Sequence, residues 1–224
     1  HTSNATGLVY IYEYKNAVWH ERDDVNGRTQ NDRTGQRVAI NRDGSVLAVA
    51  EPNRTESHGS VRLFVFDAGS NSYKLIQEIS AVTERDNIGD EAVISIGTSL
   101  AVSESGQSLV IGSPFYSNSK FSNQGQVRIY EYASGRHEWV RIGDPIDGGA
   151  NDDWLGWSVA ILEASPLTVV TSAPHSLATG GYVTSYQYDG VDWQRNGTIA
   201  NKNGTTDDYF GSFLSLTHTG TVLR

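Results

Sequence analysis

The side chains of this protein that are best suited to chemistry lie close together in NDDWLGWSV, residues 151–159. Asp152 and Asp153 could bind a cation or act as an acid–base pair. Trp154 and Trp157 could stack on a sugar ring or on a side chain of a partner. The stretch therefore suggests a metal site, a catalytic site or a ligand platform, unless it is one copy of a structural repeat.

The other residues that commonly carry out catalysis do not form a recognisable set. The chain has no cysteine, and its six histidines show no metal-binding spacing. It also lacks the G-x-S-x-G motif of a nucleophile elbow. We therefore expect a protein that is not an enzyme and that uses no cofactor and no metal. The net charge of −9 disfavours nucleic acid and anionic membranes as partners, and no apolar run is long enough to span a bilayer.

The elements that must position these residues recur along the chain. Each copy of the first recurring unit has a glycine, an alternating strand, a polar turn and an aromatic residue that opens a second strand. Alternation with period 2 on both sides of a polar turn predicts a β-hairpin. The copies are GLVYIYEYKNAVWHERD (7–23), GSVRLFVFDAGSNSYKLIQEI (59–79), GQVRIYEYASGRHEWVRIG (125–143) and GYVTSYQYDGVDWQRNGTI (181–199).

A second recurring unit lies between these hairpins. Its glycines at 35, 97, 156 and 211 are 62, 59 and 55 residues apart, and each copy reads as two short strands around a tight turn. Two such pairs per repeat give four antiparallel strands, as in one blade of a β-propeller. We therefore predict an all-β propeller in a single domain. Its repeats span about 7–52, 59–114, 125–174 and 181–224.

The second unit resembles the FG-GAP repeat of integrin α-subunit propellers. Its first half appears as Thr34-Gly35, Ile96-Gly97, Leu155-Gly156 and Phe210-Gly211, and its second half as Ala50-Glu51-Pro52, Gly112-Ser113-Pro114 and Ser172-Ala173-Pro174. An aspartate stands three residues before the glycine at Asp32, Asp153 and Asp208, whereas Ile94 replaces it in the second copy. The resemblance covers nearly the whole chain. It implies an extracellular or lumenal adhesion or protein-interaction module.

The turns depart from the calcium-binding copies of that family, in which a D-x-D-x-D-G loop encloses the ion. The corresponding turns here are NRDG (41–44), SESG (103–106), LEASP (162–166) and THTG (217–220), with one carboxylate or none each. We therefore expect no calcium in them. The aspartates before the repeat glycines are expected to accept backbone N–H groups of their own turn.

The repeat also predicts which side chains fill the space between sheets. Trp19, Trp139 and Trp193 occupy equivalent positions and are expected to pack between blades. The alternating residues Val38, Ile40, Leu47 and Val49 should do the same. Trp154 and Trp157 have no tryptophan counterpart in the other copies, so they either pack between blades or are exposed for a ligand.

Loops on one face of the propeller are the best candidates for contact with a partner, because loops on a rigid scaffold commonly carry function. The longest of them, FYSNSKFSNQ (115–124), combines aromatic residues with a lysine. The predicted ligand-binding residues are Arg54, Phe115, Tyr116, Lys120, Phe121, Trp154, Trp157 and His175.

Four N-x-S/T sequons lie at Asn4, Asn53, Asn196 and Asn203, and all are expected outside the strands, where a glycan could be attached. They fit a secreted, extracellular or lumenal location.

The number of blades has two solutions. Residues 34–79, 96–142 and 155–199 form whole blades, so 7–22 and 210–224 either join into a fourth blade or belong to a seven-bladed propeller. We favour the second, in which further blades or another subunit cover the open ends. The rival functions are a lectin-like propeller, the propeller domain of a larger secreted hydrolase, and a subunit of a membrane-associated assembly.

Overall fold

The computed structural model describes residues 6–53, 59–80, 96–201 and 204–216. In these ranges the regular elements are β-strands, apart from one turn of 3-10 helix at Thr206–Asp208. The prediction of an all-β chain is therefore confirmed. The period-2 patterns of the sequence form strands because their alternate side chains meet a buried face on one side.

The strands form four antiparallel sheets in which, except at the end of the third sheet, neighbours along the chain are also neighbours in the sheet. The first sheet is a hairpin, and each later sheet combines one copy of the second unit with the hairpin that follows it. The strands are β1 (Leu8–Lys15) and β2 (Val18–Asn26); β3 (Val38–Ile40), β4 (Val46–Glu51), β5 (Ser60–Asp67) and β6 (Ser72–Ser80); β7 (Ser99–Val102), β8 (Ser108–Ser113), β9 (Gln126–Ala133), β10 (Glu138–Arg141) and β11 (Ile146–Asp147), the last two both pairing with β9; and β12 (Val159–Leu162), β13 (Thr168–Ala173), β14 (Tyr182–Tyr188) and β15 (Trp193–Ala200).

The sheets pack face to face in chain order. Ile11 and Val25 of the first sheet contact Leu47 and Phe64 of the second, and similar apolar clusters separate the second from the third sheet and the third from the fourth. We call the face of a sheet that is turned toward the preceding sheet its upstream face, and the opposite face its downstream face. Each of the three clusters joins a downstream face to an upstream face.

Equivalent strands of successive sheets lie next to one another. β7 contacts β3 and β4, and β12 contacts β7 and β8, so the first strands of the sheets are neighbours. At the other edge, β6 contacts both β2 and β10. The sheets therefore follow one another in the same orientation, and we call the side that carries their first strands the inner side and the side that carries their last strands the outer side.

The outermost strand is irregular in every sheet. In the first, second and fourth sheets one residue bulges out of the ladder at an equivalent point, and these residues are Arg22, Ile76 and Asn196. In the third sheet the strand is interrupted between β10 and β11. A bulge bends its strand and increases the local twist. The outer edges are therefore curved away from a flat ladder.

The prediction for the tryptophans that open the last strand is correct in two sheets and wrong in one. Trp139 is 3% exposed and Trp193 is 7% exposed, each in the cluster with the preceding sheet. Trp19 is 66% exposed and contacts Tyr14 of its own hairpin, with ring centroids 5.1 Å apart. It lies on the upstream face of the first sheet, against which no other sheet packs in the described ranges.

The same cause corrects the prediction for the second sheet. Leu47 and Val49 are buried as expected, but Val38 and Ile40 are each 50% exposed. Both belong to β3, whose upstream side would face the inner strands of the first sheet. The described part of that sheet is a hairpin without such strands, so β3 is left partly uncovered.

Candidate functional site

The aspartates before the repeat glycines act as caps of their own turns. The carboxylates of Asp32, Asp153 and Asp208 each accept the backbone N–H of the residue three positions earlier, with nitrogen–oxygen distances of 2.9–3.0 Å. Asp32 and Asp153 are almost fully buried. Since this bonding is common to three repeats, it confirms the predicted capping role and explains the carboxylates without catalysis.

Asp153 has the most elaborate surroundings of the three. Its Oδ2 accepts the N–H groups of Gly149 and Ala150, at 2.9 and 3.0 Å, and lies 3.5 Å from the hydroxyl of Tyr182. Burial, together with this neighbouring negative charge, raises the pKa of Tyr182 above its ordinary value. The phenol therefore stays protonated and donates to the carboxylate.

The residue after each aspartate has a left-handed backbone conformation. Arg33, Trp154 and Tyr209 have φ angles of +54°, +58° and +47°. Such angles cost a non-glycine residue about 1–2 kcal/mol, and the hydrogen bonds of the preceding aspartate hold the turn in place. In each of these three repeats, the turn therefore presents one side chain at an equivalent position, and the fold does not fix which residue type occupies it.

A second presented position follows the proline at the end of the second strand of a sheet. Phe115 follows Pro114, and His175 follows Pro174. Because connections of successive sheets meet here, the two positions interleave to form one continuous row of rings. We call it the aromatic row, and its members in order are Phe115, Trp154, His175 and Tyr209.

The rings of the aromatic row are in direct contact. Trp154 is stacked on His175 with centroids 4.1 Å apart and an interplanar angle of 13°, and Phe115 meets Trp154 edge-on at 5.7 Å. Tyr209 lies 6.0 Å from His175. Trp157 stands beside the row, stacked on Trp154 at 5.4 Å. Phe115, Trp154, Trp157 and His175 were predicted from the sequence, and the structure brings all four together.

The aromatic row has an inner and an outer part. The indole of Trp154 lies nearly parallel to both His175 and Trp157, so contacts within the protein use much of its ring surface. His175 is fixed further, since its Nδ1 lies 3.0 Å from the backbone oxygen of Asp152. Tyr209, by contrast, is 42% exposed at the end of the row. A ligand would therefore meet Tyr209 and the edges of the partly buried rings.

The long loop beside the row is held by hydrogen bonds. Asn123 donates from its side chain to the Asp152 carboxylate at 2.9 Å, and the backbone N–H of Ser122 donates to the side-chain oxygen of Asn151 at 2.8 Å. Within the loop, Asn118 Oδ1 accepts the N–H groups of Lys120 and Phe121. The loop is thus tied to the turn that carries Trp154 and adds a defined polar flank to the row.

The other four predicted site residues are not members of the aromatic row. Tyr116 is fully buried, so its prediction as a contact residue is wrong; the turn after Pro114 directs Phe115 toward the row and Tyr116 into the interior. Lys120 and Phe121 belong to the loop, with the Lys120 ammonium 4.7 Å from the Phe121 ring centre. Arg54 lies outside the described residues.

Comparison of the sequence with protein-family models and with curated proteins found no match. Among the described residues, no helix is long and apolar enough to cross a membrane.

The sequons differ in their structural context. Asn53 is exposed in the connection after β4, as expected. Asn196 is also exposed, but it lies inside β15, so the prediction that all sequons are outside strands is wrong for this one. It is the bulged residue of that strand, which leaves its backbone without a partner opposite. Asn4 and Asn203 lie outside the described residues.

The turns expected to be free of calcium use their polar groups internally. In the first of them, Asp43 Oδ1 accepts the side-chain amide of Asn41 and the N–H of Ser45, both at 2.9 Å. The bonds from Ser45 hold the pKa of Asp43 below its ordinary value. In the described part of the chain, no three His, Asp or Glu side chains are grouped as a metal site would require.

Removal of calcium should leave the stability of the protein unchanged. A bound ion present at 100 times its Kd would contribute about 2.7 kcal/mol, so its loss would lower the Tm by roughly 5–10 °C. We expect no such fall when EDTA is added during calorimetry. A fall that added Ca²⁺ reverses would show that the turns, or another site, do bind the ion.

Two features of the site escaped the sequence prediction. Tyr209 was not selected, although its place in DDYFG matches that of Trp154 in DDWLG and would have identified it. The contact between Asn123 and Asp152 was not predicted either, because it joins loops that are 29 residues apart and no local sequence pattern indicates it.

Proposed function

We propose that this protein is an FG-GAP-like β-propeller that serves as a non-enzymatic interaction module and binds a protein partner through the aromatic row. The regular succession of sheets supports the propeller, since equivalent strands of successive sheets are neighbours and every apolar cluster joins a downstream to an upstream face. The recurring caps of Asp32, Asp153 and Asp208 support the family resemblance.

The aromatic row is the observation that carries the proposed function. It draws on three successive repeats, and nothing in the fold requires aromatic residues there, because the equivalent positions Arg33 and Asn53 are polar and exposed. Aromatic residues on rigid turns lose little conformational entropy on binding and are common at the centres of protein interfaces. The row and its polar flanking loop have the composition of such an interface centre.

A protein partner accounts for this geometry better than a sugar does. A sugar platform needs an open ring face, whereas the ring surface of Trp154 is largely used by His175 and Trp157. The exposed ring of Tyr209 and the long loop that contains Lys120 suit contact with the broader surface of a protein. The exposed Asn53 is accessible to glycosylation, which supports an extracellular or lumenal setting.

Photocrosslinking tests the proposed contact surface. Tyr209 is replaced by benzoylphenylalanine, which keeps an aromatic side chain at the exposed end of the row, and the protein is applied to intact cells and extracellular matrix. Val191, which is 80% exposed in the β14–β15 turn, receives the same group as a matched control. We expect a discrete protein adduct from position 209 alone, and its loss when Trp157→Ala is added.

Two results would contradict this proposal. Equal crosslinking from positions 209 and 191 would show that the row is not a preferred contact. Saturable binding on a glycan array that Tyr209→Ala abolishes would instead identify a lectin.

A further inference from the structure

The upstream face of the first sheet exposes side chains that are buried elsewhere in the protein. Tyr10, Tyr12 and Tyr14 are 55%, 49% and 60% exposed, and they share this face with Leu8 and the exposed Trp19. We call these five residues the N-terminal face. The positions that match Tyr12 in the second and third sheets are Phe64 and Tyr130, which are only 6% and 1% exposed because a preceding sheet covers them.

At the other end of the sheet series, the downstream face of the fourth sheet forms an open groove of about 500 Å³. On this face Ile199 is 54% exposed, whereas the matching Ile79 and Ile146 are only 1% and 7% exposed because the following sheet covers them. We call this surface the C-terminal groove, and its apolar lining consists of Leu162, Val170, Val183, Ile199 and Leu216.

The chain after β15 already begins a further sheet beside this groove. Gly181 lies against the backbone of Phe210, just as Gly7 and Gly125 lie against Thr34 and Leu155 at the starts of the second and fourth sheets. Residues 210–216 thus stand where a first strand belongs. The first sheet supplies the opposite part, since β1 and β2 correspond to the third and fourth strands of the other sheets.

We propose that these two surfaces bind each other between two copies of this chain. The N-terminal face of one copy packs into the C-terminal groove of the next, where residues 210–216 take the first-strand position and β1 and β2 of the other copy take the third and fourth. This contact repeats the pairing of downstream and upstream faces that holds the sheets of each copy together. It rests on that packing and is independent of the aromatic row.

Charge favours this arrangement over a symmetric pairing of two N-terminal faces. Glu21 and Asp24 are paired across β1–β2 with Tyr12 and Tyr10, so they share the N-terminal face. Two such faces would bring carboxylates together, which is unfavourable. The residues that line the C-terminal groove carry no charge. The contact therefore joins two unlike surfaces and generates a ring or an open series of copies.

Sedimentation velocity over a range of concentrations tests the proposal. The bacterially produced protein carries no glycan at Asn196, which lines the groove. We expect its weight-average mass to rise above that of the monomer with concentration. Tyr12→Lys and Ile199→Lys each change an exposed side chain and should weaken self-association at least tenfold. Val191→Lys, outside both surfaces, should leave it unchanged.

Mixing the two variants gives the sharpest result. Tyr12→Lys retains its groove and Ile199→Lys retains its N-terminal face, so an equimolar mixture should form a one-to-one dimer and nothing larger. A mixture that remains monomeric would overturn the proposal. So would a wild-type protein that is monomeric at every concentration, or a dimer that Tyr12→Lys disrupts and Ile199→Lys does not.

Discussion

Replacing Glu51 by Gln is expected to lower the free energy of unfolding by about 3–5 kcal/mol, because it leaves a buried positive charge without its counter-charge. Glu51 is fully buried at the end of β4, and its carboxylate lies 2.5 Å from the guanidinium of Arg62 and 2.8 Å from that of Arg28. Burial lowers the pKa of Arg62, because desolvation disfavours the charged guanidinium, while the neighbouring Glu51 carboxylate acts in the opposite direction. Equilibrium denaturation in guanidinium chloride measures the loss.

The large effect also reflects the place of this network in the fold. Arg28 follows the first sheet and pairs with Glu78 as well as with Glu51, while Thr34, at the start of the second sheet, donates to Glu51 at 2.8 Å. The network therefore fastens the first sheet to the second. Loss of the network should leave the exposure of Trp19 and its neighbours unchanged. It should, however, allow the hairpin of the first sheet to detach before the other sheets unfold.

An exposed ion pair provides the control for this substitution. Glu104 lies 3.6 Å from Arg42, and both side chains are largely in solvent, so Glu104→Gln should cost less than about 1 kcal/mol. Equal losses for Glu51→Gln and Glu104→Gln would refute the assigned importance of the buried network. A double variant, Glu51→Leu with Arg62→Met, should recover much of the loss, because it removes both buried charges.

Replacing Gly125 by Ala is expected to cost at least about 3 kcal/mol, more than backbone strain alone. Gly125 has a φ of +79°, and a Cβ there would collide with the backbone nitrogen and oxygen of Leu155, with which Gly125 forms a parallel bridge. Backbone atoms in a bridge cannot move aside as a flexible side chain can. The substitution should therefore separate the third sheet from the start of the fourth.

Two other glycines separate the causes of this loss. Gly190 has a φ of +97° but open space around its Cβ position, so Gly190→Ala should cost only about 1–2 kcal/mol from strain. Gly135 has neither constraint, and its substitution should be nearly neutral. Thermal and chemical denaturation of the three variants test this order, and a similar loss at positions 125 and 190 would exclude the close approach as a cause.

The sequence was informative wherever a pattern repeated. The glycine spacing and the period-2 strands predicted each hairpin and its order. Turns and alternating strands depend on residues that are close in sequence, so their pattern can be recognised in the sequence itself. The same holds for Asp32, Asp153 and Asp208, whose bonds stay within one turn. Four of the predicted site residues came together because the repeat fixes where each turn points.

The failures have a different origin, since they depend on what lies opposite a residue. Trp19 and Trp139 occupy equivalent positions, yet one is exposed and the other buried, because only the second has a preceding sheet in the described structure. Glu51 was treated as one residue of a degenerate motif, although it is the centre of a charge network in which its partners Arg62 and Arg28 lie 11 and 23 residues away in sequence. Contacts between residues so far apart produce no periodic pattern in the sequence.

The irregular outer strands have a consequence for solubility. A flat terminal strand is a template on which another chain can hydrogen-bond and start an amyloid-like ladder. Here the bulges at Arg22, Ile76 and Asn196, and the interruption after β10, break that template once in every sheet. We therefore expect these edges to resist the addition of a strand from another chain, and with it the formation of fibrils at high concentration.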